Sequence, residues 1–359
     1  MSDFNALIGN NLRIERERIG KSSTSLANAL GIKRPVLISY ENGELEFGED
    51  FLNQAASVLG CKIGVFFQRH APLPNVRFRS KKSLGSREAV LNCCSDRLQD
   101  LLFLEDLLDK KIAPRFQELR NICCTCNVNE SAKKARQFLK LSDNEPVMDV
   151  CAVVERLGIR FVPFDYDDDN VSGLSANAPD IGAVLFVNNT PKLSVEHKRF
   201  SIIHEMAHLL RHSEDYRSDE PRDEDKLDSE ADQFAGQFLM PDEAFEFVWK
   251  ETNGLSLWPR VSRVKSYFGV SCQTVLYRLA KCFGQSVYPK FYSSYTRFTG
   301  EKFVRNVEPL PMPNEDFGMQ TFNQLVREAI EREEITVSRG AEILGCSISN
   351  MQTLMDEWV

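Results

Sequence analysis

The string Phe200-Ser201-Ile202-Ile203-His204-Glu205-Met206-Ala207-His208-Leu209-Leu210 constrains this chain more than any other feature. It sets two histidines four residues apart, with a glutamate directly after the first. On a helix, residues i and i+4 share one face, so both imidazoles can reach one ion. Glu205 is rotated about 100° from His204, beside that ion, where it can hold a water. Ile202, Ile203, Ala207 and Leu210 make an apolar stripe that buries such a helix rather than leaving two histidines on a surface. The pattern is that of a buried zinc-binding helix.

A catalytic zinc ion needs a third protein ligand and an open position for water. Candidates follow the acidic stretch SEDYRSDEPRDEDK, on the helical pattern LDSEADQFAGQFLMP. Its buried stripe is Leu227, Ala231, Phe234, Ala235 and Phe238. Asp228 sits about 60° from the centre of that stripe, and Glu230 and Asp232 about 100° to either side. Asp228 ranks first as the third ligand, and the longer Glu230 is kept beside it. Asp232 falls one turn on from Asp228, placed to hydrogen-bond a histidine ligand from outside. His212 continues the histidine stripe but lies about 12 Å along the axis from His204, too far to bind the same ion. It reads as a helix C-terminal histidine facing the dipole. Tyr216, Arg211 and His212 are the neighbours considered for oxyanion stabilisation.

Residues 5–60 read as short helices. In SSTSLANALGIKRPVLISYENGE, Leu26, Ala27, Leu30, Ile32, Leu37 and Tyr40 recur at helical spacing, interrupted by Gly31. Ala27 is small where two helices cross, and Gly31 falls where the turn needs a positive φ. That is a helix-turn-helix, whose second helix offers its N-terminal residues to a major groove. Lys33, Arg34 and Ser39 are those residues, with Pro35 tolerated in the first turn. Residues 1–70 hold eight basic and eight acidic side chains. Phosphate contacts dominate the affinity of most DNA binders, so a neutral domain binds weakly unless dimerised. The competing role for this segment is dimerisation or partner binding.

These two motifs carry a resemblance. The first 60 or so residues are similar to the Xre/Cro repressor-like DNA-binding domain, with Ile38-Ser39-Tyr40-Glu41-Asn42-Gly43 as its turn after the recognition helix. H-E-x-x-H followed by EADQFAGQFLMP resembles the ImmA/IrrE metallo-endopeptidases across residues 140–285, including Gly158-Ile159, Arg199-Phe200 and FGVSCQTVLYRL. The family carries glutamate in the frame occupied here by Asp228. The resemblance implies an α+β, mainly helical chain: an all-α helix-turn-helix domain plus a zincin-like metallopeptidase domain with a small sheet. It implies Zn2+ held by His204, His208 and Asp228 or Glu230, with Glu205 as the base. It also implies a protein substrate, a DNA-bound repressor whose cleavage regulates transcription. The alternative is a non-proteolytic DNA-binding regulator that uses the zinc fold as a sensor or scaffold.

The remainder of the chain is less specific. Residues 1–69 are expected to form the helix-turn-helix domain, 70–139 a linker and helical arm, 140–285 the peptidase domain, and 286–359 a C-terminal packing or dimerisation domain. Within the arm, 86–119 reads as helix, and 131–157 continues as helix. Strands are expected at 159–162 and 183–187, the latter as an edge that pairs with an extended peptide. Residues 286–312 suggest short strands. EITVSRGAEILGCSISNMQTL echoes the first helix-turn-helix, with Ala341 and Gly345 four apart. The 359 residues carry a net charge of -8, so nucleic-acid contact must be local. The longest apolar runs are about five residues against the roughly 20 needed to cross a bilayer. No leader pattern opens the chain, so a cytoplasmic protein without membrane contact is expected. Ten cysteines then read as reduced thiols. The Cys93, Cys94, Cys123, Cys124 and Cys126 group matches no ligand spacing and reads as small packing residues.

Overall fold

The computed structural model describes residues 2–67, 73, 76–78, 84–110, 115–178, 181–212, 223–305, 307–313, 317 and 320–358. Tyr216 lies outside the described residues.

The N-terminal unit comprises α1 (Ser2–Arg18), α2 (Ser23–Ala29), α3 (Arg34–Glu41), α4 (Glu49–Leu59) and a 3-10 turn at Ile63–Phe67. Ile8, Leu12, Leu26, Leu37, Leu59 and Phe66 form its core. The Ser22 hydroxyl accepts from the Ser25 amide at 3.1 Å and starts α2. Gly31, at φ +68°, makes the left-handed turn into α3, where a Cβ would be strained. Arg16 clamps α3 to α1 by donating to both Glu41 carboxylate oxygens, at 2.6 and 3.0 Å.

A four-stranded sheet lies at the centre of the chain: β1 (Val76–Phe78), β2 (Arg160–Phe164), β3 (Gly173–Ala178) and β4 (Gly182–Asn188). The order is β1-β3-β4-β2, antiparallel except for the β2–β4 pair. This corrects the reading of 183–187 as a peptide-pairing edge. β4 is hydrogen-bonded on both sides, and Ala183 to Val187 are all buried. An uninterrupted apolar run is the mark of a strand covered on both faces. β3, GLSANA, was missed because it lacks the β-branched and aromatic residues that announce strands.

Helices cover both faces. α5 (Leu84–Leu107), α8 (Val150–Arg156) and α9 (Val195–Arg211) pack on the sheet, and α6 (Phe116–Cys123), α7 (Val128–Phe138) and α10 (Glu224–Leu239) form a further layer around α9. Then follow α11 (Asp242–Glu251), α12 (Leu257–Phe268), α13 (Cys272–Phe283), α14 (Val287–Thr299), α15 (Gln320–Glu331), α16 (Val337–Ile343) and α17 (Ile348–Glu357). One core joins α9 and α10 to Phe161, Leu185 and Val187 on one face of the sheet. The other joins α5 and the C-terminal helices to Val162, Leu174, Val184 and Phe186 on the opposite face.

Three expectations change here, the first being that the helix read over 131–157 is two helices, with α7 ending at Phe138 and α8 starting at Val150. The helix begun in the arm stops at Leu107 instead of running to 119, with Asp109 in the left-handed region at φ +49°. Residues 287–299 are a helix, not short strands, because Phe291, Tyr292 and Tyr295 recur at helical spacing and pack on Trp258 and Phe303. The cysteines divide between layers: Cys94 is buried in the α5 core and Cys123 in the α9 core.

The C-terminal echo proves to be a backbone match. Thr336 caps α16 from the Arg339 amide at 3.2 Å, as Ser22 caps α2. Leu344→Gly340, Gly345→Glu342 and Cys346→Ala341 repeat the amide-to-carbonyl bonds Leu30→Leu26, Gly31→Asn28 and Ile32→Ala27 at a constant offset. Gly345 turns at φ +67°, and Met351 is buried where Leu37 is buried in α3.

Candidate metal centre

α9 begins at Ser194, whose hydroxyl accepts from the His197 amide. Its face toward the sheet and α10 is wholly buried from Ser201 to Leu210. Two buried cations fix its position. Arg199 donates to the carbonyls of Gly269 (2.9 Å), Met148 (2.6 Å) and Val147. Lys265 pairs with Glu196 at 2.9 Å and Glu308 at 3.0 Å. The sequence reading used Arg199 only as part of a motif, and Lys265 carried no signal at all.

On the buried face, His204 Nε2 lies 3.0 Å from His208 Nε2. Asp228, from the first turns of α10, places Oδ1 3.4 Å from His208 Nε2. The three ligating atoms lie within 4.8 Å of one another. Two imidazole acceptors and a carboxylate turned toward one point repel unless a proton or a cation sits among them, so the donor set fits a zinc ion. Asp232 lies behind His204, with Oδ1 2.7 Å from Nδ1. Glu230, the second candidate ligand, is placed elsewhere. Its Oε2 is 3.3 Å from His212 Nε2 and 3.5 Å from Arg211 Nη2. Burial pushes its carboxyl up, but the hydrogen bonds and charges of His212 and Arg211 outweigh this and hold it below its ordinary value.

Glu205 is buried against the sheet, where it accepts a 2.6 Å hydrogen bond from the Ser175 hydroxyl on β3. Gly173 lets β3 lie close to β4: a Cβ there would stand 2.8 Å from the Phe186 carbonyl. Ser175 was invisible in the sequence because its strand was. Of the residues considered for an oxyanion, Arg211 is engaged with the carbonyls of Cys123 and Cys126 and with Ser131, and His212 backs His208.

In the N-terminal unit, Lys33 and Arg34 are exposed at the start of α3. Ser39 is half-buried and its hydroxyl bonds Glu44, holding that carboxyl below its usual value. The cysteines are absent from the group of ligating atoms found among the described residues.

A chain with this architecture is a helix-turn-helix domain fused to a metallopeptidase-like domain. Residues 12–66 match the helix-turn-helix family, and residues 154–280 match the peptidase M78 family, the IrrE N-terminal-like domain. No curated protein matches the chain. Among the described residues no helix is long and apolar enough to cross a membrane.

Proposed function

We propose that the chain is a zinc-dependent endopeptidase of the cytoplasm that regulates transcription by cleaving a repressor, with residues 1–69 binding DNA or docking at the target. The observation that carries this reading is the meeting of His204, His208 and Asp228 beside a buried glutamate held by Ser175. A zinc ion held by these three residues would supply Lewis acidity and lower the pKa of a water toward about 7. Glu205 takes the proton from the attacking water and delivers it to the leaving amine. Ser175 donates to Oε2 of the Glu205 carboxylate and so orients it on the sheet side of the helix. Asp232 keeps His204 in the tautomer that presents Nε2.

The test begins with zinc per chain, measured by elemental analysis on wild type and on His204→Ala. One equivalent that disappears in the variant supports the site, and no zinc after reconstitution sinks the peptidase reading. Glu205→Gln then separates the two functional readings. It should keep zinc and lose cleavage of the chromosomal repressors it is offered by about 10²–10⁴-fold. Regulation that persists unchanged in Glu205→Gln would favour the non-proteolytic sensor.

A further inference from the structure

His208 is backed by a second histidine rather than by a carboxylate. Its Nδ1 lies 2.8 Å from His212 Nδ1. His212 Nε2 in turn lies 3.3 Å from Glu230 Oε2. The three rings at 204, 208 and 212 follow the helix one turn apart, with centroids 4.7 and 5.0 Å from their neighbours. His208 and His212 are buried, and His212 sits at the C-terminal cap of α9. Glu230 is tethered by Arg211, whose Nη1 is fastened to the α6–α7 turn through the carbonyls of Cys123 and Cys126 and the Ser131 hydroxyl. The two histidines that face the metal position are therefore oriented by different means, His204 by Asp232 and His208 by this chain.

Only one arrangement of protons along the chain suits a cation at the Nε2 atoms. A His208 that presents an unprotonated Nε2 carries its proton on Nδ1 and donates it to His212 Nδ1. A neutral His212 that accepts at Nδ1 must carry its own proton on Nε2, and there it meets the Glu230 carboxylate. Each atom then has a complementary partner. We propose that His212 and Glu230 are positioning residues: His212 fixes the ring and tautomer of His208, and Glu230 fixes those of His212 instead of binding the ion. This rests on the reading of His204, His208 and Asp228 as a zinc site.

The direct test is ¹⁵N NMR of the histidine rings in the zinc-loaded wild-type chain. His208 should be protonated at Nδ1 and His212 at Nε2; a His212 protonated at Nδ1 overturns the proposal. Zinc affinity by chelator competition is the second measurement. Removing a group that orients a metal ligand typically costs 10–100-fold in affinity, so His212→Phe should weaken zinc by about that factor. His212→Gln should recover much of the loss, because its amide oxygen can accept from His208. Glu230→Gln should weaken binding roughly tenfold. Unchanged affinity in His212→Phe, with a cooperative melt of the metal-free protein, overturns the inference while leaving the zinc site standing. Complete loss of zinc in Glu230→Gln with retention in Asp228→Asn overturns it in favour of Glu230 as the ligand. A wild-type chain that binds no zinc removes the reading beneath it. Should the variants fail to fold, the wild-type tautomers still decide.

Discussion

Arg199→Met offers the sharpest test of how the candidate site is held in place. The guanidinium is almost fully buried and bridges three segments: it donates to Val147 and Met148 ahead of α8 and to Gly269 between α12 and α13. Methionine fills similar volume but leaves three carbonyls without this donor, two of them in buried hydrogen bonds. Each hydrogen bond to a charged group contributes about 1.5–3 kcal/mol, partly offset because the buried guanidinium no longer has to be desolvated. A net loss of about 3–5 kcal/mol follows, among the largest effects of a single substitution. Urea unfolding can be followed through Trp249 and Trp258, which pack in the same core as α9. With a slope of roughly 2–3 kcal/mol per molar, the midpoint should fall by about 1–2 M at unchanged slope. Arg332→Met is the control. It removes an exposed pairing with Glu328 on the surface of α15 and should move the midpoint little. A shift in Arg199→Met no larger than in this control would refute the claim that the carbonyl cluster anchors the helix.

Two further outcomes are expected. Lys198 is fully buried, with Nζ 2.9 Å from Asn189 Oδ1 and 3.1 Å from its carbonyl, and burial pulls its pKa down from 10.5 to about 8. Between those values the unfolded chain holds a proton that the folded chain has released, so stability should rise with pH across the window. Relative to Lys198→Met, wild type should gain about 1–3 kcal/mol between pH 8 and 10.5; parallel stability curves would contradict the depressed pKa. On the N-terminal unit, replacing Lys33 and Arg34 together by alanine should weaken DNA binding and flatten its salt dependence by up to about two phosphate contacts' worth, each near 0.9 in log–log slope. A salt slope identical to wild type would take α3 away from the duplex.

Residues whose chemistry follows from spacing along one helix were legible in the sequence. His204, Glu205 and His208 needed only a period of 3.6, and the ranking of Asp228 over Glu230 came from helical angles alone. The helix-turn-helix was legible for the same reason, its left-handed glycine being a local requirement. Contacts made across elements were not legible. Ser175 meets Glu205 from a strand without strand-forming residues. Arg199 and Lys265 satisfy carbonyls and carboxylates up to 70 positions away in the chain. His212 was set aside because it could not reach an ion shared with His204. That reading leaves out the one-turn contact to His208, which works through the ligand rather than at the metal.

The two helix-turn-helix backbones show why fold and function separate in this chain. They share the cap of the first helix, the turn glycine and the buried anchor, yet α3 opens with exposed Lys33 and Arg34 where α17 opens with exposed Ser347 and Ile348. Residues 320–358 carry three basic and seven acidic side chains, against the even balance of the N-terminal copy. Phosphate neutralisation supplies most of the affinity of such modules for a duplex, and it depends on charge, not on backbone geometry. The C-terminal copy instead places Phe322, Val326, Ala341 and Met351 in the core that α5 shares with the sheet. The same packing brings Lys62 of the N-terminal unit to 2.6 Å from Glu342 on α16. An acidic copy seated there contributes to the core that α5 shares with the sheet.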